Sequence, residues 1–324
     1  MRLGTRIALW AGLGLAAGLA LPAAWITQPL LWTPAGIVVP PVSTTALRRH
    51  VTVLARDLHP RDAGHHANLS AAGMYVAQEL ARAGAKVSVQ TYDIGGRSYS
   101  NYSALFGSEM AERTVIGAHY DSVATTPGAD DNASGVAGLI ELARLLALRP
   151  PPTPVELVAY TLEESPYFGS AQMGSARHAE RLYKEGVKVR LMISLEMIGY
   201  FSDAPASQHY PLPGLALLYP GRGDFISVVG SLGDAASTRA VKAGMRAGSA
   251  LPVQSINVPG SLTGGDRSDN RSYWGRGMRA VMVTDTAFMR NPNYHAATDT
   301  PDTLDYARMA EVVRGVFAFV QTAD

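Results

Sequence analysis

The stretch at residues 116–135, IGAHYDSVATTPGADDNASG, concentrates side chains that could bind a metal ion. A histidine is followed two residues later by an aspartate, and a pair of aspartates stands in a Pro-Gly turn. A neutral imidazole and carboxylate oxygens suit zinc and leave room for water. Each part of the stretch also has an ordinary structural explanation, as a strand end or as a turn and helix cap. The hypothesis of a metal site therefore depends on further ligands, and its first candidates are His119, Asp121 and Asp131. Asp130 is interpreted as a turn or helix-cap residue.

Further acidic and imidazole side chains follow predicted strands later in the chain. Glu163 and Glu164 end the segment VELVAYTLEE, and Glu196 lies in VRLMISLEMIG. Asp285 ends AVMVTD, and His295 lies in the loop after that segment. Ligands of an open α/β sheet bind outside the carboxyl ends of its strands. We therefore expect these side chains to converge on one rim with the histidine of the first stretch.

Converging histidines and carboxylates fit a site for two zinc ions about 3.5–4 Å apart, which needs terminal ligands and one bridging carboxylate. His119 and Asp121 lie two apart on an extended segment, so Asp121 is expected to hold the imidazole in one tautomer. Glu163 and Glu164 are adjacent and face different ways. One can therefore bind metal while the other faces substrate. Asp285 is expected beside the site or as a loop anchor.

These residues need a framework, and the chain supplies an alternation of strands and helices. Most of the strand-like segments are rich in β-branched residues, and patterns with helical spacing separate them. KVSVQTYDI and SNYSALFGS flank Gly95-Gly96 and are expected to pair as a hairpin. The pattern predicts an α/β fold with a mostly parallel mixed sheet flanked by helices on both faces. Helices are expected at 44–57, 69–84, 134–148, 170–185, 235–248 and 303–322, and an insertion over one sheet edge at 202–224.

The composition excludes several other kinds of site. The 324 residues include no cysteine and carry a formal net charge of +1. Without cysteine there is no thiol nucleophile, disulfide framework or thiolate zinc site. The nearly balanced charge gives no electrostatic reason to expect a nucleic-acid partner. The sequence also has no Gly-x-Ser-x-Gly elbow and no Walker loop.

The N-terminal residues predict export. Arg2 and Arg6 precede an apolar run that extends from Ile7 to about Ile26. Such a run suits a signal peptide and is almost long enough to span a bilayer. The expected organisation is a cleaved signal peptide or retained membrane anchor at 1–26, a Pro-rich linker at 27–43 and a single domain at 44–324. The protein is expected to be periplasmic, secreted or membrane-anchored facing outward, with membrane association possible through residues 7–26.

The ordered motifs HYD, PGADDNASG, EE, SLEMIGY and YH resemble those of the co-catalytic di-zinc exopeptidases. This group contains bacterial leucyl-type aminopeptidases and their glutamate carboxypeptidase and glutaminyl cyclase relatives. The resemblance covers roughly residues 45 to 322 and implies a zinc peptidase domain with two Zn²⁺ ions. It also implies specific roles: His119 and Glu196 hold the first zinc, Glu164 and His295 hold the second, Asp131 bridges both, and Glu163 is the general base.

The chain departs from the family pattern at two positions. Glu196 stands where many members carry Asp, and Glu is a competent oxygen ligand that is one methylene longer. Asn270 stands in GGDRSDNRSYW where relatives often have His, which affects the expected pocket and rate rather than metal binding. Tyr294 is expected to contact substrate or to pack. The histidines outside the motifs are interpreted as solvated: His50, His59, His65, His66, His178 and His209.

The sequence leads to one principal function and two alternatives. The principal hypothesis is an exported zinc-dependent exopeptidase acting on peptides or small proteins. The residues alone do not separate aminopeptidase from carboxypeptidase action, and the resemblance favours an aminopeptidase. A metal-bridging water and the Glu163 base would hydrolyse the N-terminal peptide bond. The first alternative is a glutaminyl cyclase-like enzyme with one zinc. The second is a non-catalytic binding ectodomain on the same scaffold.

Overall fold

The computed structural model describes residues 21–32, 35–109, 112–257 and 259–322, which are organised around an eight-stranded sheet. The strands are β1 (Val87–Ile94), β2 (Arg97–Phe106), β3 (Arg113–His119), β4 (Val155–Tyr160), β5 (Val189–Glu196), β6 (Ile226–Gly230), β7 (Val253–Asn257) and β8 (Ala280–Thr284). The longer helices are α1 (Thr44–Thr52), α2 (His66–Arg82), α3 (Gly135–Leu148), α4 (Gly174–Lys184), α5 (Ala235–Gly248) and α6 (Tyr306–Thr322). Short helices cover Gly260–Thr263 and Asn270–Trp274.

The sheet is mixed, with a parallel centre. Its strand order is β1-β2-β4-β3-β5-β8-β6-β7. β4, β3, β5 and β8 run parallel to one another, and β6 and β7 form a parallel pair that is antiparallel to β8. β1 and β2 form the expected hairpin around Gly95 and Gly96, and β2 pairs antiparallel with β4. The parallel centre aligns the carboxyl ends of four strands at one edge.

Both faces of the central strands are buried, because neighbouring residues enter different clusters. Val115 and Met192 pack with α4 on one face, whereas Ile116 and Ile193 pack with α3 and α6 on the other. Burial on both faces explains why these strands are continuous apolar runs. The predicted α/β class, with helices on both faces of a mostly parallel sheet, is confirmed.

Several element boundaries differ from the predictions. α2 begins at His66 rather than at 69, α4 begins at Gly174 rather than at 170, and α6 begins at Tyr306 rather than at 303. The strand β7 was not predicted at all. Its five residues are too few to show a clear period, and it takes its place at the sheet edge by pairing with β6.

The insertion at residues 202–224 covers one face of β6, β7 and β8, towards the end of the sheet that lies away from the β1–β2 hairpin. Leu215 packs there in a cluster with Val229, Ile256 and Met282, which belong to β6, β7 and β8. Tyr210 and Tyr219 of the insertion stack with ring centroids 5.8 Å apart and contact the same cluster. The insertion therefore closes an apolar layer over three strands.

The predicted export segment lies mostly outside the described residues, since the structure describes the chain from residue 21 onwards. Residues 21–27 are helical, and Lys242 on α5 donates to the carbonyl oxygens of Thr27 and Gln28 at 3.1 and 3.2 Å. None of the helices in the described ranges has the length and apolar composition needed to cross a membrane. Export, the linker and the domain boundaries stay predictions.

Candidate metal centre

The parallel centre of the sheet brings three groups of candidate residues to one edge. His119 is the last residue of β3 and pairs in register with Tyr160 at the end of β4. Glu196 is the last residue of β5, on the other side of β3. Glu163 and Glu164 follow β4 directly, so strand order alone makes these side chains neighbours.

Two groups of potential ligands form around Asp131. Nε2 of His119 lies 3.4 Å from Oδ1 of Asp131 and 3.4 Å from Oε2 of Glu196. Nε2 of His295 lies 3.1 Å from Oδ2 of Asp131 and 3.7 Å from Oε1 of Glu164. Asp131 thus offers one oxygen to each group, as a bridging ligand does. The structure brings together all five residues that the sequence assigned to metal binding.

The donor atoms are spaced as a zinc site requires. Ligand atoms about 2.0–2.2 Å from a tetrahedral ion are roughly 3.4 Å from one another. Both ring nitrogens of His119 are buried and have no hydrogen-bond partner within the described part of the chain. Buried polar atoms are normally paired, so this histidine has the surroundings of a metal ligand and not of a core residue. The residues present therefore fit two zinc ions.

The charged groups of the centre affect one another strongly. Burial alone would raise the pKa of Asp131, but the neighbouring imidazoles of His119 and His295 hold that pKa below its usual value. Burial together with the charge of Asp131 raises the pKa of Glu164 to about 7. Burial would lower the pKa of His295, but Asp131 and Glu164 raise it to about 10. The centre is thus a cluster of carboxylates that attracts positive charge.

Glu163 belongs to neither ligand group but faces the same cavity. Its Oε2 lies 3.9 Å from Nε2 of His119, and its side chain lines the cavity beside Asp131, Glu164 and Glu196. Burial raises the pKa of Glu163 well above its ordinary value, with the charges of Glu164 and Glu196 adding to the effect against that of His119. A carboxylate with a raised pKa at this point can accept and return a proton.

The backbone around the candidate ligands adopts an uncommon conformation at three points. Leu162, just before the glutamate pair, has a φ of 60°, and Met197, just after Glu196, has a φ of 50°. His295 itself has a φ of 55°. Residues other than glycine rarely take up this left-handed region, and such residues cluster at functional sites. These turns bend the chain sharply where each ligand leaves its strand or loop.

Asp121 accepts two backbone hydrogen bonds that the sequence did not suggest, in addition to its contact with His119. Its Oδ1 lies 3.5 Å from Nδ1 of His119, so its predicted effect on the imidazole stays a prediction. Its two oxygens accept hydrogen bonds from the backbone N–H groups of Glu163 and Glu164 at 3.1 and 3.0 Å. Asp121 therefore ties the end of β3 to the glutamate pair after β4.

Asp285 lies outside both ligand groups and anchors loops. It accepts hydrogen bonds from the backbone N–H groups of Tyr200 and Ala287 at 2.8 and 2.9 Å, and burial raises its pKa to about 6. Asp130 was interpreted as a local turn or cap residue, and that interpretation is wrong. Its carboxylate instead accepts from distant groups, the N–H of Gly199 and the side chain of Asn291.

Three further residues support the centre and were not predicted. Asp299 accepts hydrogen bonds from the N–H groups of Asp130 and Asp131 at 2.9 and 3.2 Å. Ser268 donates to Oε2 of Glu196 at 2.7 Å. The polar stretch GGDRSDNRSYW, which contains Ser268, was a usable signal, and Asp299 lies in the polar loop just after His295. Arg61 gave no such signal.

Arg61 is fully buried and holds the loop that carries the bridging carboxylate. Its guanidinium donates to the carbonyl oxygens of Tyr120, Pro127 and Gly128, and also to that of Leu54. The first carbonyl follows the end of β3, and the next two precede Ala129 and the aspartate pair. One buried cation thereby fixes the distance between the segments that contribute His119 and Asp131.

Asn270, the second position that departs from the family pattern, has a structural role. Asn270 is buried and donates from Nδ2 to the carbonyl oxygen of Gly265 at 2.8 Å. The neighbouring Asp269 is also buried, and neither of its carboxylate oxygens has a hydrogen-bond partner in the described part of the chain. Burial raises the pKa of Asp269 to about 7.

An apolar pocket adjoins the metal cavity. Its walls include Tyr210, Leu215 and Tyr219 from the insertion and Met282 from β8. The pocket and the metal cavity share three lining residues: Glu196, Arg267 and Tyr294. The ring of Tyr294 stacks on that of His295 with centroids 3.8 Å apart.

Two histidines that were interpreted as solvated are buried, so that interpretation is wrong for them. His50 on α1 contacts the hydroxyl of Tyr75 at 2.7 Å. His178 on α4 contacts the hydroxyl of Tyr273 at 2.7 Å and Glu156 at 3.2 Å. Their partners come from distant segments, which helix periodicity alone does not reveal. Neither lies in a ligand group.

Known proteins are similar to this chain in sequence. A family model described as Peptidase family M28 matches residues 102–320. The Escherichia coli (strain K12) protein YfbL, described as uncharacterized, is 47% identical over 286 residues, which are 86% of this chain and 88% of that protein. A probable aminopeptidase of Saccharomyces cerevisiae, YDR415C, is 29% identical over 241 residues, covering 68% of this chain and 56% of the relative.

Solved structures share the fold at low sequence identity. BSAP, a zinc aminopeptidase from Bacillus subtilis, has a TM-score of 0.69 at 15% identity, over 89% of this chain and 96% of that chain. A glutaminyl cyclase from Bacteroides thetaiotaomicron has a TM-score of 0.66 at 18% identity, over 89% and 100% of the respective chains. These two similarities concern the architecture of the chain.

Proposed function

Because the chain belongs to peptidase family M28, as the match over residues 102–320 shows, we propose that this zinc metallopeptidase is a di-zinc exopeptidase of the aminopeptidase type. The observation that carries the proposal is the arrangement around Asp131. Its two oxygens face two different histidines, at 3.4 and 3.1 Å, and each histidine has a further glutamate beside it. A site for one ion would not need a carboxylate divided in this way.

The ligands of the two ions follow from these distances. His119 and Glu196 would hold one zinc, His295 and Glu164 the other, and Asp131 both. Bound zinc supplies Lewis acidity at a carbonyl oxygen and lowers the pKa of water towards 7. The chain supplies the orientation of the ligands, through the buried contacts that hold the strand ends and the aspartate loop.

Glu163 is the proposed proton carrier. Its Oε2 faces the first ligand group, and a water molecule between that oxygen and a bound peptide carbonyl would lose its proton to the carboxylate. The water oxygen forms a bond to the carbonyl carbon, and the carbon–nitrogen bond breaks. Glu163 then returns the proton to the leaving amine nitrogen. Its burial supports this role, because burial raises the pKa of Glu163 and so makes its carboxylate a stronger proton acceptor.

The apolar pocket supports a preference for a large apolar side chain next to the cleaved bond. It opens beside Glu196 and Tyr294, so a residue held at the metal centre could place its side chain there. Relatives and proteins with the same fold include aminopeptidases, which supports an N-terminal residue at this position.

The test combines metal analysis with a peptide assay. We expect purified protein to contain two zinc ions per chain and to hydrolyse leucyl-p-nitroanilide, with activity lost on chelation and restored by zinc. Acetylation of the substrate amine should abolish cleavage, because an aminopeptidase requires the free amine. Protein that binds no zinc under metal-replete conditions would refute the proposal.

A glutaminyl cyclase activity is the second candidate, favoured only by the shared architecture with the Bacteroides enzyme. The two candidates differ in metal content and product. One zinc per chain and the formation of pyroglutamate from an N-terminal Gln peptide would indicate the cyclase. The contacts of the two Asp131 oxygens with two different histidines support the peptidase.

Export is part of the proposal but rests on the sequence of residues 1–26 alone. The arginines before the apolar run and the small residues Ala23 and Ala24 near its end support a periplasmic, secreted or membrane-anchored location. Fractionation of cells that express the full chain, followed by N-terminal sequencing of the mature protein, distinguishes a cleaved signal from a retained anchor.

A further inference from the structure

Arg267 stands where the metal cavity meets the apolar pocket. It lines the metal cavity together with Glu163 and Glu196, and it also lines the pocket that the insertion closes. Its backbone N–H donates to the carbonyl oxygen of Gly264 at 3.1 Å, which fixes the turn that carries it. Its guanidinium carbon lies 5.5 Å from the ring centroid of Phe288. The side chain is therefore held at this boundary although it is largely exposed.

The guanidinium of Arg267 packs on the ring of Phe288 but has no polar partner among the residues that the structure describes. Among the residues that the structure describes, it makes no hydrogen bond or ion pair with any carboxylate, including those of the adjacent cavity. Two other arginines that pack on aromatic rings do have polar partners: Arg276 contacts Glu180 at 3.7 Å, and Arg290 donates to Gln208 at 2.9 Å. An arginine held beside a substrate cavity with its donors free is available to a ligand.

The charge at this boundary favours an anion. Four carboxylates line the metal cavity: Asp131, Glu163, Glu164 and Glu196. Two divalent cations at the proposed ligand groups would balance them. The guanidinium then adds an uncompensated positive charge, since Arg267 is the only lysine or arginine among the described residues that line the cavity and the pocket. An anionic group of the substrate would supply the missing partner.

A guanidinium that packs on an aromatic ring keeps its edge free for two parallel hydrogen bonds, and a carboxylate matches that edge. Because Arg267 shares a cavity with Glu163, a carboxylate that reaches it lies within one or two residues of the cleaved bond, at roughly 3.5 Å per extended residue. The side chain next to the bond has the apolar pocket as its own site. The carboxylate is thus better supplied by the end of the peptide than by an acidic side chain.

The geometry points to Arg267 as the residue that binds the free α-carboxylate of a short peptide, so that dipeptides are preferred to longer or C-terminally blocked peptides. This inference rests on the proposed peptidase function and names its substrate class. Arg267 acts as a specificity residue here, and it takes no part in moving the proton.

The experiment compares Leu-Phe with Leu-Phe amide, which differ only in the carboxylate. Wild-type protein should cleave the free dipeptide with a kcat/KM roughly 10- to 100-fold higher, mostly through KM, as expected for a charged hydrogen-bonded pair. Arg267→Gln should abolish this preference by weakening only the free dipeptide, and Arg267→Lys should keep part of it. Arg276→Gln is the matched control, since Arg276 also packs on a ring, that of Tyr183, but lies away from both cavities.

Three results would overturn the inference. The first is equal cleavage of Leu-Phe and its amide by the wild type. The second is an equal loss on both substrates in Arg267→Gln. The third is an Arg267-dependent gain for Leu-Glu amide over Leu-Phe amide, which would assign the carboxylate to a side chain.

A binding measurement separates this inference from the proposed function. In protein carrying Glu163→Gln, calorimetry gives the Kd of Leu-Phe and of Leu-Phe amide without turnover. A difference that Arg267→Gln removes supports the inference even if no peptide is hydrolysed by the wild type. Equal Kd values for the two peptides contradict it even if the wild type is an active aminopeptidase.

Discussion

The metal centre and the apolar pocket are adjacent but are built in different ways. The ligands His119 and Glu196 end neighbouring parallel strands, and the loop with Asp131 is fixed by buried hydrogen bonds from Arg61 and to Asp299. The pocket instead uses the outer face of strands at the end of the sheet and an insertion that packs on it through apolar contacts.

This difference separates two kinds of mutational effect. Strand register and buried hydrogen bonds define positions within a fraction of an ångström, which catalytic geometry requires. Apolar packing defines a shape and tolerates changes in side chains of similar volume. Changes in the centre should therefore reduce the rate for every substrate, whereas changes in the pocket should alter the ranking of substrates.

The largest effect is expected from Glu163→Gln. Loss of the proton carrier should lower kcat by about 10³-fold while the zinc content stays the same, because Glu163 belongs to neither ligand group. Steady-state kinetics beside elemental analysis measures both quantities. Glu185→Gln, which changes an exposed glutamate paired with Arg181, should leave both unchanged. Wild-type biological activity in Glu163→Gln would instead favour the binding-ectodomain hypothesis.

Asp131→Asn should affect stability as well as rate. A ligand at 100 times its Kd stabilises a folded protein by about 2.7 kcal/mol, so zinc should raise the Tm of the wild type by several degrees. The variant loses the shared carboxylate and should show little of this zinc-dependent shift. Differential scanning fluorimetry with and without chelator measures it. An unchanged shift in the variant would show that Asp131 does not hold the ions.

Arg61 and Arg290 provide a matched pair for the two regions, since both are buried arginines that donate to backbone carbonyls. Arg61→Lys removes donors from the aspartate loop and should weaken zinc affinity by roughly 10- to 100-fold. Arg290 donates to the carbonyl of Phe225, next to the pocket, at 2.8 Å. Arg290→Lys should leave zinc affinity unchanged and raise KM for large apolar substrates.

The measurement for this pair is a competitive zinc titration with a chelating dye, together with KM for leucyl- and alanyl-p-nitroanilide. Circular dichroism checks that both variants are folded. Equal losses of zinc affinity in the two variants would show that the regions are not separable in this way.

The smallest effect is expected from filling the pocket. Ser227 lies on β6 and lines the pocket floor, so Ser227→Leu should exclude large side chains. We expect kcat/KM for leucyl-p-nitroanilide to fall by about 10-fold relative to the alanyl substrate, the scale on which apolar pockets discriminate size. The alanyl substrate serves as the internal control. A parallel decline on both substrates would mean that the pocket does not receive this side chain.

The sequence was sufficient to predict the fold class and the candidate ligands, because both depend on local patterns of residues. A strand buried on both faces is a continuous apolar run, and a polar residue at its end is conspicuous there, as His119 and Glu196 are. The helix α5 was predicted with its exact bounds because its apolar residues repeat at helical spacing. The strand β7 was missed because its pairing with β6 defines it more than its composition does.

The predictions from sequence failed most consistently for buried polar residues. His50 and His178 lie on helices whose polar neighbours looked solvated, yet both are covered by distant side chains. Asp130 looked like a turn residue but pairs with groups far away in the chain. A polar residue reveals its burial only through its partners, and those partners are set by packing.

What the sequence by itself determined is the set of candidate side chains for metal binding and proton transfer and the strands that end in them, because residue type and hydrophobic pattern are local properties of the sequence. Only the tertiary structure decided that the two oxygens of Asp131 face different histidines, that Arg61 holds the loop of Asp131, and that Arg267 lies between a polar and an apolar cavity. These relations join segments far apart in the chain. Their distances are products of strand order and packing, which no stretch of sequence contains alone.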